Sequence, residues 1–141
     1  MKDQVIIITG AAMGLGYAAA EVLASKGAKL ALVDYNEEAL KEAEEKLSSA
    51  YQTEILTVKA DVSNENDVKN YVDATVEKFG KIDGLYNNAG IEGKQAGMTE
   101  YDLEVFKKVI DINLMGVYYG LRYVIPVMQK QKFGRIVNVA S

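Results

Sequence analysis

The chain has 141 residues, of which 49% are hydrophobic and 26% charged, a composition typical of one globular domain. Its 16 Lys and Arg against 20 Asp and Glu give a net charge of −4, which offers no general basic surface for nucleic acid or an anionic membrane. The absence of Cys and His excludes disulfides, the common zinc ligand sets and histidine-based triads. Acid–base chemistry would therefore depend on Tyr, Lys, Asp, Glu or a bound cofactor.

The apolar segments of the chain are short. The stretch near residues 123–128 is far below the roughly 20 residues that cross a bilayer, and the run at residues 5–8 is far below the core of a signal peptide. We therefore predict a soluble, cytoplasmic protein that binds neither membranes nor nucleic acid.

Short apolar runs alternate with segments of helical periodicity along the chain. The continuous apolar run at residues 5–9 is typical of a strand buried on both faces. Further short segments predict strands at residues 30–33, 55–58, 82–87 and 135–139, which makes five in all. Apolar residues three and four apart predict the helices. The first carries Leu15, Ala18, Ala19, Val22 and Leu23, the second Leu40, Ala43 and Leu47, the third follows a cap at Ser63 or Asn64, and the fourth spans roughly residues 99–130.

This alternation, with short glycine-containing joints, is typical of a parallel sheet covered by helices on both faces. We therefore predict one α/β domain over residues 1–141, built on a doubly wound parallel sheet of five strands. Such sheets bind their ligands at the carboxyl ends of the strands.

The joint after the first strand is rich in glycine and reads TGAAMGLG from Thr9 to Gly16. Gly10 allows a tight turn, Gly14 lets a ligand approach the backbone, and Gly16 lets helix and strand pack closely. The N–H groups at the helix start, around Leu15, would face an anion such as a pyrophosphate. A tight turn without a ligand is the alternative, but the position between strand and helix favours a nucleotide site.

Asp34 ends the second strand, near the spacing from the glycine loop at which an acid binds the adenosine ribose. The alternative role is to cap the next helix, which Asn36 can do equally well. A carboxylate repels a 2′-phosphate, and Met13 leaves the glycine loop without a positive charge. Both residues therefore predict NAD rather than NADP as the cofactor, with Tyr35 beside Asp34 in the same site.

The segment Asn87-Asn88-Ala89-Gly90 after the fourth strand, taken with the glycine loop, resembles the short-chain dehydrogenase/reductase family. Further matches follow in the family's order: Asp61-Val62 after the third strand, Asn113 in the long helix, and residues 134–141, which read GRIVNVAS. Residues 87–95, NNAGIEGKQ, are similar to family members that reduce cyclic ketones.

The resemblance implies a Rossmann-like fold, a homo-oligomer, and hydride transfer between NAD and a small secondary alcohol or ketone. It also implies that Asp61 and Val62 hold the adenine. Asn88, Ala89 and Gly90 would line the ribose and nicotinamide side of the site.

Asn113 falls on an apolar stripe with helical spacing, formed by Leu103, Phe106, Ile110, Val117, Leu121 and Val124. This spacing predicts that Asn113 is buried, where an amide must find hydrogen-bond partners. It is then either a core asparagine bonded to nearby backbone or, as the resemblance implies, the site of a helix distortion. In the second case a freed carbonyl would hold a water molecule of a proton relay.

Ser141 matches the family's catalytic serine, which donates a hydrogen bond to the substrate oxygen. The family's acid–base pair is a tyrosine followed four residues later by a lysine, and none of the nine tyrosines here has that neighbour; Tyr118 with Arg122 comes nearest. We therefore expect the cofactor-binding half of a larger enzyme, inactive by itself and cut after the fifth strand.

Two other functions remain open at this point. One is a non-catalytic nucleotide-binding fragment. The other is an S-adenosylmethionine methyltransferase, which also uses a glycine loop and an acid after the second strand, but which leaves residues 87–90, Asn113 and Ser141 unexplained.

Overall fold

The computed structural model describes residues 1–140, and strands alternate with helices throughout them. The elements in chain order are β1 Val5–Thr9, α1 Gly14–Ser25, β2 Lys29–Asp34, α2 Glu37–Ala50, β3 Ile55–Lys59, α3 Glu65–Phe79, β4 Gly84–Asn87, α4 Leu103–Ile110, a π-helix Asp111–Met115, α5 Gly116–Gln131 and β5 Arg135–Asn138. The predicted alternation is confirmed.

The five strands form one parallel sheet in the order β3-β2-β1-β4-β5. The chain moves outward from β1 in one direction and then, from β4, in the other. The strand order therefore reverses between β1 and β4, the position at which doubly wound sheets bind ligands. The predicted doubly wound, Rossmann-like architecture is confirmed, and β5 forms one edge of the sheet as far as residues 1–140 extend.

Two hydrophobic cores cover the two faces of the sheet. Successive residues of a strand point to opposite faces, so Ile7 of β1 belongs to the core beneath α3 and α5. Its neighbours Ile6 and Ile8 belong to the core beneath α1 and α2. The continuous apolar run of β1 is thus fully buried, which fixes the end of the strand from which the glycine loop departs. None of the helices within residues 1–140 combines the length and the apolar character that a bilayer span requires.

Helix α1 forms where it is predicted but turns a different face to the sheet. The apolar spacing placed Leu15 and Val22 inward, whereas their exposed fractions are 71% and 54%. Gly16, Ala20 and Ala24 are buried instead. Small side chains at every fourth position let the helix lie close to the sheet, which explains why burial does not follow residue size here.

The long helical region differs from its prediction at its start. The Asp102 carboxylate accepts hydrogen bonds from the N–H groups of Glu104 and Val105 at 2.8 and 3.2 Å. This cap starts α4 at Leu103 rather than near residue 99, because a side-chain oxygen satisfies the free N–H groups of the first turn.

The predicted apolar stripe of this region is wrong. Leu103, Phe106 and Ile110 are exposed, Asn113 is also exposed, and Val117 and Leu121 are half-buried. Of the predicted set only Val124 is buried; it lies with Gly116, Gly120 and Met128. The π-helix between α4 and α5 has i to i+5 hydrogen bonds, and a period of 3.6 residues cannot be continued through it.

Candidate functional site

The loop between β1 and α1 leaves the first N–H groups of α1 open. The N-cap residue Met13 makes no side-chain hydrogen bond to the first turn, and that turn carries no acidic residue. Gly14 has a φ of +56°, and beyond its chain neighbours and the backbone of α1 a Cβ at this position would meet no atom of residues 1–140 within 4 Å. Open N–H groups at the start of a helix favour binding of an anion.

Gly16 holds the start of α1 directly against the end of β1. A Cβ on Gly16 would collide with the carbonyl oxygen of Gly10, so only glycine permits this approach. The close helix–strand packing predicted for Gly16 is therefore present, and it points the helix start at the carboxyl end of the sheet.

The Thr9 hydroxyl connects the end of β1 to the loop after β4, at the point where the strand order reverses. Thr9 is 1% exposed, and its Oγ1 accepts hydrogen bonds from the N–H groups of Asn88 and Ala89 at 2.9 and 3.0 Å. The Asn88 amide Nδ2 in turn donates to the Thr9 carbonyl oxygen at 3.1 Å. The sequence alone indicates only that Thr9 ends β1, and its one sign of this further role is a hydroxyl at the end of an apolar strand.

Asp34 lies at the end of β2 with both carboxylate oxygens engaged. Its Oδ2 accepts from the N–H of Ala12 in the glycine loop at 3.0 Å, and its Oδ1 accepts from the N–H of Asn36 at 3.0 Å. Asn36, rather than Asp34, caps α2, through the N–H of Ala39. A carboxylate has about four lone-pair sites, so each oxygen keeps one for a ligand hydroxyl.

Asp61 and Val62 follow β3 on the neighbouring side of the site. The Asp61 Oδ1 accepts from the N–H and the hydroxyl of Ser63 at 2.9 and 2.6 Å. Val62 packs so tightly against Gly116 of α5 that a Cβ on this glycine would lie 2.8 Å from Cγ2 of Val62. Both residues are therefore fixed in place, and their contact with an adenine stays a prediction.

Asn113 lies in the π-helix, and its side chain holds the loop after β4. Its Oδ1 accepts from the N–H of Ile91 at 2.8 Å and its Nδ2 donates to the carbonyl oxygen of Ile91 at 2.9 Å. The predicted helix distortion at this residue is present. The amide is bonded to backbone as a core asparagine would be, but it is exposed rather than buried, and its share in a water relay stays a prediction.

These elements enclose one cleft of about 550 Å³ at the carboxyl end of the sheet. Ten of the predicted residues line it: Gly10, Met13, Leu15, Asp34, Tyr35, Asp61, Val62, Asn88, Ala89 and Gly90. Gly14 and Gly16 shape the loop without lining the cleft. Four lining residues were not predicted: Ala60, Ile91, Lys108 and Ile112. The predicted catalytic Ser141 lies outside the described residues.

A doubly wound parallel sheet, a glycine loop opening a helix, and an acid ending the second strand in the same cleft are the features of a Rossmann-like α/β domain. Within this class the chain belongs to the short chain dehydrogenase family, whose pattern it matches over residues 4–141.

Relatives of known activity match almost the whole chain. It is 49% identical over 140 residues to levodione reductase of Leifsonia aquatica, covering 99% of this chain and 52% of the relative. The crystal structure of levodione reductase superposes with a TM-score of 0.97 at 47% identity, covering 100% of this chain and 55% of the other. The structure of NAD⁺-bound xylitol dehydrogenase gives a TM-score of 0.96 at 40% identity, covering 99% and 54%. The chain thus spans about half the length of these relatives.

Proposed function

We propose that the chain binds NAD(H) and forms the cofactor-binding part of an oxidoreductase that acts on a secondary alcohol or ketone. The observation that carries this proposal is the position of Asp34. Its carboxylate is oriented by two backbone N–H groups, lines the same cleft as the glycine loop, and keeps free lone pairs for two ribose hydroxyls. The NAD⁺-bound xylitol dehydrogenase, at 40% identity, supports the choice of cofactor.

The cleft fits a dinucleotide in size and in chemistry. Pockets of roughly 300–1,000 Å³ are typical of small-molecule and cofactor sites, and this one measures about 550 Å³. The uncapped start of α1 and the open side of Gly14 suit a pyrophosphate, while Asp34 suits an unphosphorylated ribose. Bound NAD(H) would supply hydride chemistry.

The protein's own residues would position the two reacting molecules. Thr9 and Asn113 each bind backbone of the loop that begins at Asn88, so the nicotinamide side of the cleft is held from two elements. The similarity to levodione reductase favours a cyclic ketone as the substrate class. Ser141, by the family pattern, would donate a hydrogen bond to its oxygen.

A second function concerns the 141 residues alone. They contain no tyrosine followed four residues later by lysine, so we propose that they bind the cofactor without turning over a substrate. The family assignment gives no support to the methyltransferase hypothesis. The cytoplasmic location and the homo-oligomer stay predictions.

Isothermal titration with NADH, NADPH and S-adenosylmethionine tests the proposal. We expect NADH to bind at least about tenfold more tightly than NADPH, a difference of about 1.4 kcal/mol. The double variant Met13→Arg with Asp34→Ser should reverse this preference, since it replaces the carboxylate and adds a cation. Equal binding of NADPH and NADH by the unmodified protein would refute the role of Asp34.

A further inference from the structure

Lys108 is the one basic residue among those that line the cleft within residues 1–140. It lies in α4, four residues before Ile112, which also lines the cleft and packs on the core beneath α3 and α5. The glycine loop packs on the opposite core through Ala11 and Ala12. Lys108 therefore reaches the cleft from the other side of the sheet than the start of α1 does.

The ammonium of Lys108 has no carboxylate partner in the part of the chain that the structure describes. The adjacent Lys107 differs, because its Nζ lies 3.2 Å from a carboxylate oxygen of Glu104. Two acidic residues, Asp34 and Asp61, line the same cleft, and both direct oxygens to backbone N–H groups. Within residues 1–140, Lys108 thus shares the cleft with the carboxylates of Asp34 and Asp61, which already accept hydrogen bonds from backbone N–H groups, while its own ammonium has no carboxylate partner.

The charge of the expected ligand gives this cation a partner. A dinucleotide brings two negative phosphates, and the glycine loop TGAAMGLG offers them backbone N–H groups but no basic side chain. With Asp34 and Asp61 as the only other charged residues lining the cleft within residues 1–140, the pyrophosphate would otherwise enter a site of net negative charge, which disfavours an anion.

We infer that Lys108 is a cofactor-binding residue whose ammonium contacts a phosphate of the dinucleotide. It supplies from α4 the positive charge that the glycine loop lacks. This inference rests on the proposed function, since it names a further contact of the same ligand. Lysine suits this role as a flexible point charge that needs no fixed geometry at the phosphate.

The test compares Lys108→Gln with Lys107→Gln, which removes an equal charge from the same exposed turn but not from the cleft. Titrations use NADH, ADP-ribose and adenosine in a buffer of about 10 mM and of about 1 M ionic strength, where screening lengths differ about tenfold. We expect Lys108→Gln to raise the Kd of NADH and ADP-ribose about fivefold at low salt. The loss should shrink at high salt, and adenosine, which has no phosphate, should bind as before.

Lys108→Arg should retain most of the affinity, and Lys107→Gln all of it. The inference is overturned if both Gln variants bind NADH equally well, if the loss does not depend on salt, or if adenosine binding weakens as much as NADH binding. Binding of NADH that is insensitive to Lys108→Gln would refute the inference alone. If the unmodified chain binds neither NADH nor ADP-ribose, the proposed function fails together with it.

Discussion

Replacement of Thr9 by valine isolates the hydroxyl that joins β1 to the loop after β4. Valine keeps the shape of threonine, so no cavity forms at this fully buried position. The N–H groups of Asn88 and Ala89, which lie 2.9 and 3.0 Å from the Thr9 Oγ1 in the unmodified protein, lose their hydrogen-bond acceptor. An unsatisfied buried donor costs about 1–3 kcal/mol. Because Asn88 and Ala89 are half-buried, each unsatisfied N–H should cost about 1 kcal/mol, the low end of this range. For the two together we expect a loss of about 2 kcal/mol in the free energy of unfolding.

Urea unfolding followed by circular dichroism measures this loss, with Thr57→Val as the control. Thr57 is half-buried, whereas Thr9 is fully buried. The Thr57 hydroxyl makes one long hydrogen bond of 3.3 Å to Glu44, so its removal should cost less than about 0.5 kcal/mol. The Kd of NADH should rise in Thr9→Val, because the freed loop lines the cleft. The reasoning fails if Thr9→Val loses no more stability than Thr57→Val.

Three further predictions use the same assays. Asn113→Leu should raise the Kd of NADH severalfold, because the amide that holds the backbone of cleft-lining Ile91 is lost. The urea midpoint should change little, because this amide is exposed. An unchanged Kd would contradict the positioning role of Asn113. Burial raises the pKa of Tyr71, and its hydroxyl has no hydrogen-bond partner within residues 1–140. Tyr71→Phe should therefore increase the free energy of unfolding by about 1 kcal/mol. A decrease would show that the hydroxyl is hydrogen-bonded. Val137 is 57% exposed on β5, which forms one edge of the sheet within residues 1–140, and an unpaired strand edge invites pairing with another chain. In the 141-residue chain, Val137→Lys should reduce self-association in sedimentation velocity, whereas Val22→Lys, which changes a similarly exposed valine of α1, should not.

The central strands and their parallel arrangement were predictable, because burial on both faces dictates the composition of β1 and β2. Val5 to Ile8 has no polar residue, which only a central strand of a covered sheet requires. Helix faces were harder to predict. In α1 the close approach to the sheet selects Gly16 and Ala20 over the larger Leu15, so residue size indicates the wrong face.

The residues of the candidate site were predictable where their chemistry at the end of a strand indicates a ligand. Asp34 and the glycine loop were found in this way, and they do share one cleft. Thr9 and Lys108 were missed because their roles depend on elements distant in the chain. The bond between Thr9 and Asn88 spans 79 residues, and only the topology brings α4 to the carboxyl end of β1.

The π-helix at Asp111–Met115 has a consequence for insertions and deletions. The inward positions of this region follow a four-residue interval, from Lys108 and Ile112 at the cleft to Gly116 and Val124 beneath the sheet. In a straight α-helix of 3.6 residues per turn, positions four apart drift by about 40° at each step, and the wider π-turn absorbs part of that drift. The π-turn holds one residue more than an α-turn, so deleting one residue within it would restore a regular α-helix and leave α4 and α5 in nearly the same relative rotation. A deletion within α4 or α5 would instead rotate the residues on either side of it by about 100° relative to each other, so the length of these two helices is under tighter constraint than the length of the π-helix between them.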